Sequence, residues 1–203
     1  HAEQGFGDTL QMLRYLPRVA MRVGRVQLCA PRPILPLLEN MPSLNEVLPH
    51  LPQTPTANFH LPLMSLPGVF GDSLETFPNE TPYLKAPSGD PVLPPKQGTR
   101  PRVGLAWRGS GSQPLDRRSL PIEALAVLRE AEVDWFSLQP EDGSPEGFTD
   151  LSTQLTDFGA TARVMDELDL VVSVDTAAAH LAGALGRPTW LLLSFALDWR
   201  WLW

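Results

Sequence analysis

From Arg102 onward the chain alternates short, almost wholly apolar runs with segments of helical pattern, and few folds accommodate that. Arg102–Trp107, Asp134–Leu138, Leu170–Val174 and Thr189–Leu193 read as strands. Pro121–Ala131, Phe158–Leu168 and Thr176–Leu185 read as the helices between them. A strand that is apolar on both faces must be covered on both, which a parallel sheet with helices on either side achieves. The fold class is therefore α/β, and the pattern predicts a doubly wound sheet.

The first half has a different texture. Seventeen of the 22 prolines fall within residues 1–101. A helix is predicted over Asp8–Arg22, from Leu10, Leu13, Leu16 and Ala20 at helical spacing. Pro17 should kink it or end its regular part. A strand over Arg25–Ala30, a helix over Ile34–Asn40 and short strands at Glu46–Leu48 and Phe59–Leu61 follow. The stretch from Ala86 to Gly98 is rich in Pro and Gly with little to bury, which is linker composition. It divides the chain into an N-terminal domain (1–86), a linker (87–101) and a C-terminal domain (102–203).

Charge narrows the partners. Residues 1–101 hold 8 Lys/Arg and 8 Asp/Glu, whereas residues 102–203 hold 8 and 15, so the second half carries the whole net charge of -7. Such a half is a poor match for nucleic acid, whose backbone is gripped by clustered Lys and Arg. A phosphate held by backbone amides and one or two bases is still compatible with it. The lone cysteine, Cys29, excludes an internal disulfide and reads as a core thiol. No apolar run reaches the ~18 residues that cross a bilayer, and no signal-peptide pattern is visible. A cytoplasmic setting is the expectation.

Three places carry chemistry. Doubly wound sheets bind ligands at the carboxyl ends of strands, where helix N-termini present free N–H groups. Val171-Val172-Ser173-Val174-Asp175-Thr176-Ala177-Ala178-Ala179-His180 is such a junction. Its small side chains let a diphosphate approach the amides, and the helix dipole favours the anion. The plain structural alternative is that Asp175 caps the helix and His180 packs on its flank. Gly5-Phe6-Gly7-Asp8 is a second glycine loop entering a helix, with a glycine turn and an Asp8 N-cap as its plain reading. Arg117-Arg118-Ser119-Leu120-Pro121 sets a pair of bases before a helix, close to the end of strand 102–107. His50 and His60 lie among prolines without partners at ligand spacing. The cluster Trp199, Trp201 and Trp203 is expected to close a core or an interface, and Trp107 to be core at its strand end.

Three runs together resemble the heptosyltransferase-like glycosyltransferase superfamily: Glu3–Gln11, Arg117–Pro121 and Ser173–Pro188, the last with the pattern D-T-x-x-x-H-L-A-x-A-L-G-x-P. The likeness is nearest to the glycosyltransferase domain that follows tetratricopeptide repeats in many bacterial proteins, and Asp198-Trp199-Arg200-Trp201-Leu202 is similar to that group too.

The resemblance implies a GT-B fold, two Rossmann-like domains facing a cleft. It implies inverting transfer of a sugar from a nucleoside-diphosphate sugar to a hydroxyl of a glycan, lipid-linked or protein acceptor, with no cofactor and no required metal. Asp175, Thr176, Ala177 and His180 match the donor-diphosphate motif, and Asp8 matches the general base. Arg118 stands where the family has a phosphate-steadying Lys; its planar fork differs from that point charge. Gly7, Gln11, Trp107, Ser137 and Gln139 are further nucleotide or cleft contacts. An adjoining tetratricopeptide-repeat domain is an expected partner. The glycine loop begins four residues from His1 and the chain stops at Trp203, so it reads as a fragment or as a trimmed family member, without the usual first strand and closing strand and helix. The rival readings are a non-catalytic nucleotide-sugar-binding or scaffolding module, and an epimerase or hydrolase on the same architecture.

Overall fold

A computed structural model describes residues 1–52, 57–96, 98–109, 117–140, 143–195 and 198–201. In the first half proline sets where helices begin. The helix expected over 8–22 is divided into α1 (Phe6–Met12), a 3₁₀ turn (Leu13–Tyr15) and α2 (Leu16–Ala20), with Pro17 in the first turn of α2. Pro36 and Pro67 hold the same place in α3 (Leu35–Leu38) and α4 (Leu66–Phe70). Proline lacks the N–H that a first turn leaves unused, so it starts a helix without loss and limits its length. The helix α4 carries little sequence signal because Pro67-Gly68 reads as a turn. Gly71, with φ of 68°, ends it in the left-handed conformation.

Strand β1 (Gln27–Cys29) pairs in parallel with β2 (Glu46–Leu48), in the register Leu28 to Val47. The Ala2 N–H donates to the Cys29 carbonyl (2.9 Å), so the residues entering the glycine loop run beside β1. Cys29 is half-buried there rather than fully in the core. The strand expected at Phe59–Leu61 does not form. Leu61 O and Leu63 N each bond His1 (both 2.9 Å), but Pro62 between them has no N–H to extend a ladder.

The second half is one parallel sheet of five strands: β3 (Arg102–Ala106), β4 (Asp134–Ser137), β5 (Thr149–Asp150), β6 (Leu170–Val174) and β7 (Thr189–Leu192). Their order is β5-β4-β3-β6-β7. The chain winds outward from β3 to β5, returns to the far side of β3 as β6, and continues to β7. The order therefore reverses between β3 and β6, the feature that opens a crevice at the carboxyl ends of a doubly wound sheet.

Helices α5 (Phe158–Asp166) and α6 (Ala177–Ala184) make the return connections. The segment Ile122–Glu130, expected as an α-helix, is a 3₁₀ helix. Ile122, Leu125 and Leu128 recur every third residue, and i and i+3 eclipse one another in that helix. Leu125 is buried and Leu128 packs beside it.

The two faces of the sheet alternate along β3. Val103 and Leu105 pack with Trp107, Leu125 and Val172, whereas Ala106 joins the larger core. That larger core is continuous across both halves, from Leu10, Leu13, Leu28 and Ile34 to Met165, Val171 and Leu181. Of the residues read as a linker, 90–96 lie along the second half. Leu93 is buried, and the Val92 N–H donates to Glu167 Oε1 (2.5 Å). Gly104 sits where a methyl group would come 2.5 Å from Leu168 Cδ1 and 2.7 Å from Leu138 Cδ1, two side chains that are themselves buried. Gly104→Ala is expected to destabilise the chain by about 1–3 kcal/mol through overpacking, seen as a lower urea midpoint at unchanged slope.

Candidate functional site

The mouth of α6 lies at the carboxyl ends of β3 and β6, on one side of the point where the strand order reverses. Thr176 is its N-cap, in extended conformation, and its side chain makes no capping bond. The hydroxyl instead lies 3.1 Å from Ser173 Oγ. The Thr176 side chain thus leaves the amides that open α6 uncapped. Asp175 is half-buried just before the cap and is not the cap itself. On the other side, the Leu120 N–H donates to the Trp107 carbonyl (2.8 Å) and the Gly109 N–H to Ser119 Oγ (3.0 Å). These bonds return the chain to the end of β3 and set half-buried Arg118 beside it. Residues 110–116 lie outside the described residues.

Helix α1 lies against α6. Its contact is Gly7 on His180: a methyl group on Gly7 would stand 2.6 Å from the His180 ring. Asp8, in the first turn of α1, accepts a bond from the Gly5 N–H on Oδ2 (3.0 Å) and one from Arg200 Nε on Oδ1. It therefore sits at the third helical position and reaches back to the N-cap residue rather than capping the helix itself. Arg200 also donates through Nη1 to both oxygens of Asp198 (2.9 and 2.8 Å). The Trp201 ring stacks on His180, with centroids 4.4 Å apart and planes 17° from parallel. A short segment, 198–201, is thereby clasped over α1 and α6 together.

Burial sets the electrostatics. His180 is 8% exposed, and desolvation pushes its pKa down to about 4. Asp8 opposes that shift and Arg200 adds to it, and the imidazole is neutral near pH 7. Burial also disfavours the Arg200 cation, but its bonds to Asp8 and Asp198 outweigh this and raise its pKa. Asp198 shows the converse: burial is outweighed by the Arg200 N–H and guanidinium, and its carboxyl is held below the usual range.

Several expected contacts are buried. Gln11 donates through Nε2 to the Arg200 carbonyl (3.1 Å), which ties α1 to the clasp, while its Oε1 has no hydrogen-bond partner among the described residues. Ser137 and Gln139 are 1% and 5% exposed. Ser137 Oγ accepts from the Gln139 N–H (3.3 Å), and Gln139 Nε2 donates to the Arg108 carbonyl (3.2 Å), which stiffens the chain under the crevice. Trp107 is core. Arg200, Asp198 and Trp201 escaped the list of site residues expected from the sequence. Their signal was the Asp198–Leu202 run, which lies far along the chain from Asp8, the residue that it meets. Trp203 is outside the described residues. Among the described residues no three His, Cys, Asp or Glu side chains come together to hold a metal. No helix of the described residues is long and apolar enough to cross a membrane. A hollow of about 530 Å³, lined by Arg102, Asp134, Trp135 and Thr149 among others, opens at the amino ends of β3 to β5, the opposite end of the sheet from the crevice.

The model of glycosyltransferase family 9 (heptosyltransferase) matches residues 141–192, which run through β5, α5, β6, α6 and β7. The structure of the dodecameric iron-containing heptosyltransferase TibC, solved in complex with ADP-D-β-D-heptose, superposes with a TM-score of 0.67 over 97% of this chain. The resemblance to the heptosyltransferase-like glycosyltransferases holds. Sequence identity to that structure is 16%, so the likeness is one of fold, and the chain spans 58% of its length. Among curated proteins none matches. The parallel α/β architecture is thus GT-B-like and Rossmann-type, and the matched family segment carries the open mouth of α6 but not Asp8, Arg118 or Arg200.

Two outcomes follow from the α1–α6 contact. Gly7→Ala is expected to force the helices apart and lower stability by about 1–3 kcal/mol in chemical denaturation. His180 has a folded-state pKa below its unfolded value of 6.5, so the unfolded chain binds the extra proton. Its contribution is fully present above pH 6.5 and is lost as pH falls toward about 4, by about 3 kcal/mol over that window. His180→Gln should flatten this part of the stability–pH curve, and an unchanged curve would show the imidazole to be solvated.

Proposed function

We propose that the chain is the nucleotide-sugar-binding core of a glycosyltransferase that moves a sugar, with inversion, from a nucleoside-diphosphate sugar to a hydroxyl acceptor. The observation that carries this reading is the uncapped mouth of α6 at the point where strand order reverses, with α1 and Asp8 packed against the same helix. Backbone N–H groups at a helix start favour a diphosphate. In this reading the amides of Thr176 and Ala177 grip the donor pyrophosphate, Asp175 and neutral His180 shape its surroundings, and Arg118 faces its charge.

The acceptor oxygen attacks the anomeric carbon as the bond from that carbon to the diphosphate oxygen breaks. The hydroxyl proton passes to Asp8, and the nucleoside diphosphate leaves with the electron pair. The charge that grows on the leaving group meets preorganised amides and a guanidinium, so the step needs no metal. One displacement inverts the centre. The bound ADP-heptose of the TibC structure makes an ADP-sugar the first donor to test. A glycan, lipid-linked or protein acceptor, a bacterial cytoplasmic setting and an adjoining tetratricopeptide-repeat domain belong to the proposal on the resemblance alone.

One observation favours the rival scaffold reading: both Asp8 oxygens already accept hydrogen bonds. Asp8→Asn discriminates. With ADP-D-β-D-heptose as donor and a seryl peptide or alkyl glycoside as acceptor, the substitution should cut ADP release by about 10²–10⁴-fold while the thermal shift caused by ADP is unchanged. Asp175→Ala should instead abolish that shift. Lost ADP binding with residual transfer in the Asp8 variant would overturn the assignment. Release by water alone would point to a hydrolase, and none in the wild type to a scaffold.

A further inference from the structure

An ion-paired aspartate is ordinarily a poor base. Once it takes a proton, its cationic partner is left without a counter-ion, and in a half-buried site that is costly. The surroundings of Asp8 avoid this. The Arg200 side chain is 23% exposed, and it is shared between Asp8, 13% exposed, and Asp198, 35% exposed. Asp198 makes the fuller contact, with two bonds to Nη1 and a third from the Arg200 backbone N–H to Oδ1 (2.9 Å). His180, the neighbouring imidazole, is neutral near pH 7, so the three groups carry a net charge of one negative unit.

We infer that Asp198 and Arg200 are positioning residues for Asp8, with Arg200 aiming its carboxylate and Asp198 serving as the counter-ion that stays when Asp8 is protonated. This rests on the reading of Asp8 as the base. Proton uptake takes the cluster from one negative charge to zero, and Arg200 keeps its bonds to Asp198 throughout. The carboxylate has about four lone-pair sites, of which Gly5 and Arg200 use two, so one remains for the acceptor's proton on either oxygen. The clasp is itself anchored where it must not drift. The Arg200 carbonyl is held by Gln11, one turn along α1 from Asp8, and Trp201 is stacked on His180 of α6. The guanidinium also lies over the Trp199 ring, 4.9 Å from its centroid.

The test uses the full chain with ADP-D-β-D-heptose, UDP-glucose and GDP-mannose as donors, taking whichever the wild type consumes. Asp198→Asn, which keeps the shape of the side chain, should lower kcat about ten-fold while donor KM stays within about two-fold. Arg200→Gln should lower kcat about a hundred-fold at similar KM, and Arg200→Lys should recover part of that loss because it keeps the charge. Both effects should shrink to less than about two-fold when Asp8 is already Asn, measured at high enzyme concentration, because groups that act through one residue are not additive with it. Donor KM rising at constant kcat would overturn the inference and make Arg200 a donor ligand. Losses that multiply with Asp8→Asn would also overturn it, leaving a purely structural clasp. An active wild type with either result removes this inference alone; a wild type inert on every donor removes the proposed function and this with it.

Discussion

The contact on which the rest of this structure depends is that of Gly7 on His180. The two halves of the chain share a core, and at this point the helix that opens the first half comes closest against the helix that follows β6. A side chain at position 7 would occupy the space of the imidazole ring. Because glycine has none, the backbone of α1 comes close enough for Asp8 and the mouth of α6 to belong to one neighbourhood. The ring is covered on another side by Trp201, and so loses most of its hydration. A neutral imidazole at this place adds no positive charge to compete for Asp8, whose cation is Arg200.

The acidity of the second half now has a local resolution. A net charge of -7 over residues 102–203 argues against any partner that reads charge over a broad surface. A diphosphate does not need such a surface. It needs a few N–H groups whose dipoles add, a neighbouring guanidinium, and no carboxylate without a counter-ion close by. The clustered acids near α1 meet the last condition, because Asp8 and Asp198 both pair with Arg200, which leaves the three groups one net negative charge. Asp175 is the exception, standing half-buried at the end of β6 next to the helix mouth.

Much of the fold was legible in the sequence where the local signal and the tertiary demand coincide. β6 and β2 run over the residues expected, since each is a short apolar-rich stretch with polar or turn residues on both sides. The first helix is divided near Pro17, as expected of a proline there. The sequence misled where period and proximity mattered more than composition. Ile122–Glu130 has the composition of an α-helix, but Ile122, Leu125 and Leu128 stand at every third position, a spacing that suits the 3₁₀ helix it forms. Gln11, Ser137 and Gln139 are polar residues near the crevice and so looked like ligand contacts. Each is buried and bonded to main chain, a placement that no linear pattern encodes.

The pairing of Asp8 with Arg200, across 192 positions of sequence, was the least accessible feature. It also bears most directly on mechanism, because an apolar clasp over α1 and α6 would have held the helices at less electrostatic cost. Replacing buried ion pairs by apolar groups is often neutral or stabilising, so charge in such a place needs a reason other than stability. A cluster of two carboxylates and one guanidinium supplies one. It is stable with either one or no negative charge, whereas a simple pair is stable only when neutral and an unpaired carboxylate only when solvated. A group that must take a proton during a reaction requires that tolerance.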